Sequence, residues 1–180
     1  MRARRRRGRA GVSVEPVAQP LVGFRRWGAR RGGLYSGIFV AGRFVPNPAL
    51  GMVAPRVAQM PWPTDHDRFA KCFALRGHDA PYRDCNCGWA AYYGLDEEPE
   101  LPAIECVWGA VVAWGKIVEC ETGFRAEYAR PLALLDHKHP DDIRERGQRL
   151  VNAADAYGIP LLPRDELIAY AGWHGELRPR

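Results

Sequence analysis

The sequence predicts a small α+β protein with a β-rich sheet or partly open barrel, a metal-stabilised loop and one or two C-terminal helices. Three observations predict it. An apolar run from Ile104 to Glu121 leads into a stretch where Phe124, Ala126 and Tyr128 share one face and Arg125, Glu127 and Arg130 largely take the other, as in a half-buried strand. After Pro140, apolar residues recur at helical spacing. Upstream of both, Cys72, His78, Cys85 and Cys87 fall within sixteen residues, a grouping that suits one metal ion.

At 180 residues, 47% of them hydrophobic, the chain suits one domain, read here as residues 21–180 preceded by an arm at 1–20. Its longest apolar run, Val107 to Val118, is broken by Gly109, Gly115 and Lys116 and falls short of the ~20 residues of a membrane helix. The basic N-terminus lacks the apolar stretch of a secretory signal. An odd count of five cysteines, two of them in Cys85-Asn86-Cys87, favours a metal site over a disulfide framework. The expected compartment is reducing and cytoplasmic.

Charge is divided unevenly. Residues 1–31 hold ten arginines against the single acid Glu15, a balance of +9, which leaves −4 on the remainder of the +5 total. A basic tail on a mildly acidic body is the footprint of a segment that finds phosphates or an acidic protein surface.

Taken in order, residues 1–20 offer few large apolar groups to offset the entropy of ordering, so they read as a disordered arm. Leu21 to Trp27 reads as a strand, Gly28 to Gly33 as a turn and Leu34 to Val40 as its hairpin partner. Residues 41–65 carry Pro46, Pro48, Pro55, Pro61 and Pro63, which argues for an extended surface loop and against a central strand. Trp89 to Tyr93 suits a short strand or a helical turn. Because Ile104–Glu121 is apolar on both parities, it belongs at the centre of a sheet or in a barrel wall, covered on both sides. Pro140 suits a first helical position, and Ile143, Leu150, Val151, Ala154 and Tyr157 mark a helix that Gly158 ends. Arg164 to Ala171 suits a second helix.

Three thiolates and an imidazole make an ordinary structural zinc site, and Gly88 allows the turn after Cys87 to tighten. With four protein ligands, no coordination position stays open for a substrate, so the role implied is structural. Buried or free thiols are the alternative reading. Cys106 and Cys120 read as core residues. Glu119, Glu121 and Glu127, with His137 and His139, are what an enzyme reading would rest on, but such acids at strand ends are usually a solvated rim paired with groups like Arg125 or Lys116. Arg2, Arg4, Arg5, Arg6, Arg7, Arg9, Arg25 and Arg26 could contact phosphates, and Trp27, beside arginines, could stack on a base. Trp108 and Trp114 read as core. The leading reading is a zinc-stabilised binding module whose arm engages nucleic acid or another polyanion. A structural or interaction protein of a virion or regulatory complex, docking on acidic protein, is the alternative.

His78-Asp79-Ala80-Pro81 followed by Cys85-Asn86-Cys87-Gly88 forms one motif. The runs Gly109 to Glu119 and Gly123 to Pro131 form another, with Trp114-Gly115 and Arg125-Ala126-Glu127-Tyr128-Ala129 at its centre. Together they resemble a family of small actinobacterial and actinophage proteins over roughly Phe24 to Leu132. The resemblance implies a phylogenetic setting and no particular activity.

Overall fold

The computed structural model describes residues 14–16, 19–30, 33–47, 52–62, 64, 69–72, 77–95, 106–136 and 144–178. Its strands are β1 (Val14–Pro16), β2 (Leu21–Arg30), β3 (Gly33–Asn47), β4 (Met52–Pro61), β5 (Trp89–Tyr92), β6 (Cys106–Glu119), β7 (Gly123–Leu135), β8 (Leu161–Leu162) and β9 (Glu176–Leu177). Two helices, α1 (Arg144–Tyr157) and α2 (Arg164–Gly172), lie near the C-terminus. All pairings are antiparallel except those of the two-residue strands, β8 on β7 and β9 on β2. No helix among the described residues is long and apolar enough to cross a membrane.

The long apolar strand takes the central position its composition demands. β6 pairs with β1, β2 and β7. β7 in turn pairs with β5, and β5 touches β2 through Phe24 and Tyr92, so the sheet curls into a partial ring. Alternate residues of β6 then enter different cores. Val111 and Ala113 join Trp27, Leu34, Trp62, Phe124 and the α1 residues Leu150, Ala153 and Ala154. Ala110 and Val112 join Val22, Phe24, Leu132 and the α2 residues Leu167 and Ala171. Coverage on both faces explains why neither parity of the strand is polar.

Gly23 marks the joint where β5 meets β2. A Cβ there would stand 2.8 Å from the Phe124 ring, 2.8 Å from the Tyr92 carbonyl oxygen and 2.9 Å from the Ala91 Cβ. Three elements converge on space that only a hydrogen can occupy.

β2 and β3 form the predicted hairpin, but the ladder runs into the segment read as a turn, with Gly28 opposite Tyr35, Ala29 opposite Leu34 and Arg30 opposite Gly33. The reading of residues 41–65 as an extended loop is corrected, because β3 runs on to Asn47 and pairs with β4. Past Tyr35, β3 has β4 as its paired neighbour and β2 no longer accompanies it, so Pro46 and Pro55 lie in a two-stranded extension where a missing N–H interrupts no central ladder. Strand pairing also begins earlier than Leu21. Val14, Glu15 and Pro16 lie opposite Val118, Ile117 and Lys116 of β6, inside the segment read as an arm. Residues 1–13 fall outside the described residues, as do Pro140 and Ile143. Gly158, at φ +62°, ends α1, whose Tyr157 hydroxyl donates to the Trp62 carbonyl at 2.7 Å. Val151, placed on the packed face by its spacing, is exposed.

The closeness at Gly23 has a measurable outcome. Gly→Ala within a strand ordinarily gains up to ~1 kcal/mol by restricting the unfolded chain. Here Gly23→Ala is expected instead to destabilise by about 1–3 kcal/mol in urea unfolding, the usual range for overpacking a core. A neutral or stabilised variant would show that β5 does not close on β2.

Candidate metal centre

The four sequence-predicted ligands converge. The Sγ atoms of Cys72, Cys85 and Cys87 and a ring nitrogen of His78 all lie within 4.8 Å of one another, each from a half-buried residue. Cys72 Sγ is 3.7 Å from Cys85 Sγ, and Cys87 Sγ is 3.4 Å from His78 Nε2. A disulfide needs a separation of ~2.05 Å, so these sulfurs are not bonded. Zinc's bond lengths, ~2.3 Å to sulfur and ~2.0 Å to nitrogen, set tetrahedral edges of about 3.8 Å between sulfurs and about 3.5 Å between sulfur and nitrogen. Both contacts match those edges. The four donors lie close enough to hold one metal ion, and two of their separations match tetrahedral edges.

Two pieces of chain, laid end to end against the same edge of β7, bring these donors together. β5 covers one stretch, with Trp89 opposite Ala126 and Tyr92 opposite Gly123. Phe69 continues the edge opposite Tyr128, and the Ala70 N–H donates to the Glu127 carbonyl at 2.7 Å. Cys72 leaves the first piece and Cys87 precedes the second. Among the described residues the loop between them holds no helix or strand. It turns at 82–85, where the Cys85 N–H donates to the Tyr82 carbonyl at 3.2 Å, and it buries Pro81 after a cis Ala80–Pro81 bond.

Arg125 of β7 clamps this loop from beneath. Its Nη1 donates to the carbonyls of Tyr82 at 3.2 Å and Cys87 at 3.4 Å, and its Nη2 to that of Arg83 at 3.5 Å. The sequence reading had placed Arg125 on a solvated rim of carboxylates. The alternation of β7 that turns Ala126 inward turns Arg125 outward under the loop, where backbone carbonyls take its donors. The Tyr82 ring stacks on His78 at 4.5 Å between centroids, fixing the imidazole plane. Gly88, at φ +113°, completes the cradle. A Cβ there would come 2.9 Å from Pro81 Cβ and 3.1 Å from Arg125 Cβ, so glycine is required both by conformation and by space.

Without an ion, Cys87 favours its neutral thiol form. Burial pushes the Cys87 thiol up to about 11, and the neighbouring Cys85 and Cys72 add to the rise against an opposing hydrogen bond from the Tyr82 backbone. A bound cation would supply the positive charge that lets the sulfurs face one another as thiolates.

The other candidates fare differently. Trp27 is corrected: it is 1% exposed, edge-on to Trp62 at 5.3 Å, and offers no ring face to a base. Its strand alternation sends it into the core that the ring encloses. Arg25 is likewise turned inward, its guanidinium donating to Ser36 Oγ at 2.7 Å and to the Ala90 carbonyl and lying over the Trp62 ring. Arg26 is half-buried, and Arg2, Arg4, Arg5, Arg6, Arg7 and Arg9 lie outside the described residues. Cys120 is exposed rather than core, because β6 ends at Glu119 and the hairpin turn begins there. Trp108 and Trp114 pack on the second core yet stay half-buried.

The acids are not gathered into one site. Glu119 pairs with Arg178 and accepts the Tyr93 hydroxyl at 3.2 Å, while Glu127 accepts the Lys116 N–H at 3.1 Å and Glu121 is exposed in the turn. His137 and His139 lie outside the described residues. Sequence reasoning missed the clamp by Arg125 and the pinning of Phe69 and Ala70 on β7. The alternation of Arg125 was a usable signal for the first, and nothing local marked the second.

The His78–Gly88 motif forms the loop, and the Gly109–Glu119 and Gly123–Pro131 runs form the β6–β7 hairpin that carries it. No family model, characterised protein or solved structure matches this chain.

Two outcomes follow from this geometry. Arg125→Ala should weaken metal retention about 10–100-fold in chelator competition, as loss of an outer partner commonly does, while far-UV circular dichroism stays close to that of the parent. Acidification should release the ion cooperatively as protons compete for the thiolates and the imidazole, read with a chromogenic metal indicator. Retention unchanged down to pH 3 would mean that these groups are not the ligands.

Proposed function

We propose that this protein is a binding module in which a structural zinc ion holds the 72–87 loop and a basic N-terminal arm engages nucleic acid or a chemically similar polyanion. The observation that carries the reading is the closed donor set. Three sulfurs and one imidazole converge closely enough to hold one ion, on a loop with no helix or strand among its described residues, and four such ligands would suit holding shape rather than activating a substrate. Soft sulfur donors favour zinc or iron over hard cations, and tetrahedral geometry without a redox requirement favours zinc. The positive charge is concentrated in another part of the sequence. Six arginines among the first nine residues precede β1, which anchors the arm to the central strand of the sheet.

Elemental analysis of the purified chain tests the first half, with about one zinc per chain expected from a single four-ligand site. Iron in its place, or a fully folded protein containing neither, overturns it. For the second half, the full chain and a chain lacking residues 1–13 are titrated with a labelled oligonucleotide across a salt series. If all six arginines meet phosphates, truncation removes a slope of about 4 in log affinity against log salt. Equal slopes for the two chains would defeat the arm as the binding element.

A further inference from the structure

A row of three aromatic side chains crosses the outer face of the sheet beside the metal loop. Trp114 of β6 lies directly opposite Tyr128 of β7, and Tyr128 lies directly opposite Phe69 of the pinned segment. Residues opposed across antiparallel strands project from the same face. The Trp114 and Tyr128 rings are stacked, 5.8 Å between centroids and 9° from parallel, and Phe69 is 53% exposed. Trp114 and Tyr128 are both half-buried, and Trp114 borders the second core.

The backbone is shaped to hold this row. Between Trp114 and Ile117 the β6–β7 register slips, and Gly115 sits at φ +78° with Lys116 beside it opposite Glu127. A Cβ on Gly115 would stand 2.8 Å from the Tyr128 ring, so the glycine leaves room for that ring to stack with Trp114. At the other end, Cys72 follows Phe69 by three residues, so the metal centre fixes the segment that supplies the third ring.

Cations accompany the rings. Lys71 Nζ lies 5.5 Å from the Phe69 ring centroid. Arg130, predicted on the opposite face, instead shares that of Tyr128: it lies opposite Val112 as Tyr128 lies opposite Trp114, two residues further along β6, and Lys116 lies in the bulge. β1 pairs with β6 from Val118 to Lys116, which attaches the arginine-bearing segment to the strand that carries Trp114.

We infer that this face is a stacking platform for unpaired bases of a single-stranded nucleic acid, with Lys71 and Arg130 placed for its phosphates. The inference rests on the nucleic-acid reading above and names the ligand class and the face. Aromatic rings in a row, flanked by cations, match a strand whose bases are exposed, whereas a duplex keeps its base faces covered. The positive arm complements the same polyanion.

The test uses the full chain with fluorescein-labelled oligothymidylate and a duplex of equal length, comparing Phe69→Leu and Tyr128→Leu with the parent. Leucine keeps apolar bulk and removes the ring, so a hydrophobic protein-docking patch would survive it and a stacking surface would not. Circular dichroism and metal content confirm that each variant is folded and loaded. The expected result is preference for the single strand, a loss of about tenfold in affinity for each leucine variant, and an unchanged salt slope. Parent-like affinity in both folded variants, or equal binding of duplex and single strand, overturns the platform. The arm reading is judged separately by truncation of residues 1–13: a lost salt slope with no effect of the leucines leaves the arm and removes the platform. The converse keeps the platform and removes the arm as the binding element, and absence of binding by the full chain removes both.

Discussion

Closure of one edge of β7 is the constraint on which this structure turns. A single continuous strand would satisfy that edge through its own hydrogen bonds. Here β5 covers four residues of it and Phe69–Ala70 continue the line, with a loop between the two pieces. Each piece alone is too short to be stable. An ion held by the four donor atoms would tie the end of one to the start of the other, and Arg125 fastens the loop to the strand beneath by three carbonyls. Coordination would then replace the regular structure that is absent among the loop's described residues.

Much of this was legible in the residues. The metal ligands were readable because thiols and imidazole at short spacing have few other uses in a chain of this kind, and the structure brings all four together. The central strand was readable from apolar residues on both parities, since only a strand covered on each face tolerates them. Gly158 and the apolar spacing before it likewise marked the end of α1.

Other features were hidden for physical reasons. Proline density at 41–65 signals only that a central ladder is excluded, and an edge hairpin meets that condition as well as a loop does. Trp27 resembled a ligand-facing residue because its neighbours are arginines, yet alternation along β2 sends it inward, where Arg25 also turns its guanidinium toward Ser36 and the Trp62 ring. The row formed by Trp114, Tyr128 and Phe69 depends on register across three chain segments far apart in sequence. No local pattern encodes such a register, and the bulge at Gly115 that sets it is visible locally only as one more glycine.

The split covering of β7 also bears on how the molecule behaves among its own kind. Without an ion to fasten Phe69–Ala70, the edge of β7 at Glu127 and Tyr128 would lose its anchored partner and bare backbone donors and acceptors beside aromatic rings. Such a margin is a template onto which a neighbouring copy can zip. Coordination at Cys72, His78, Cys85 and Cys87 would therefore guard against self-association as well as maintain shape.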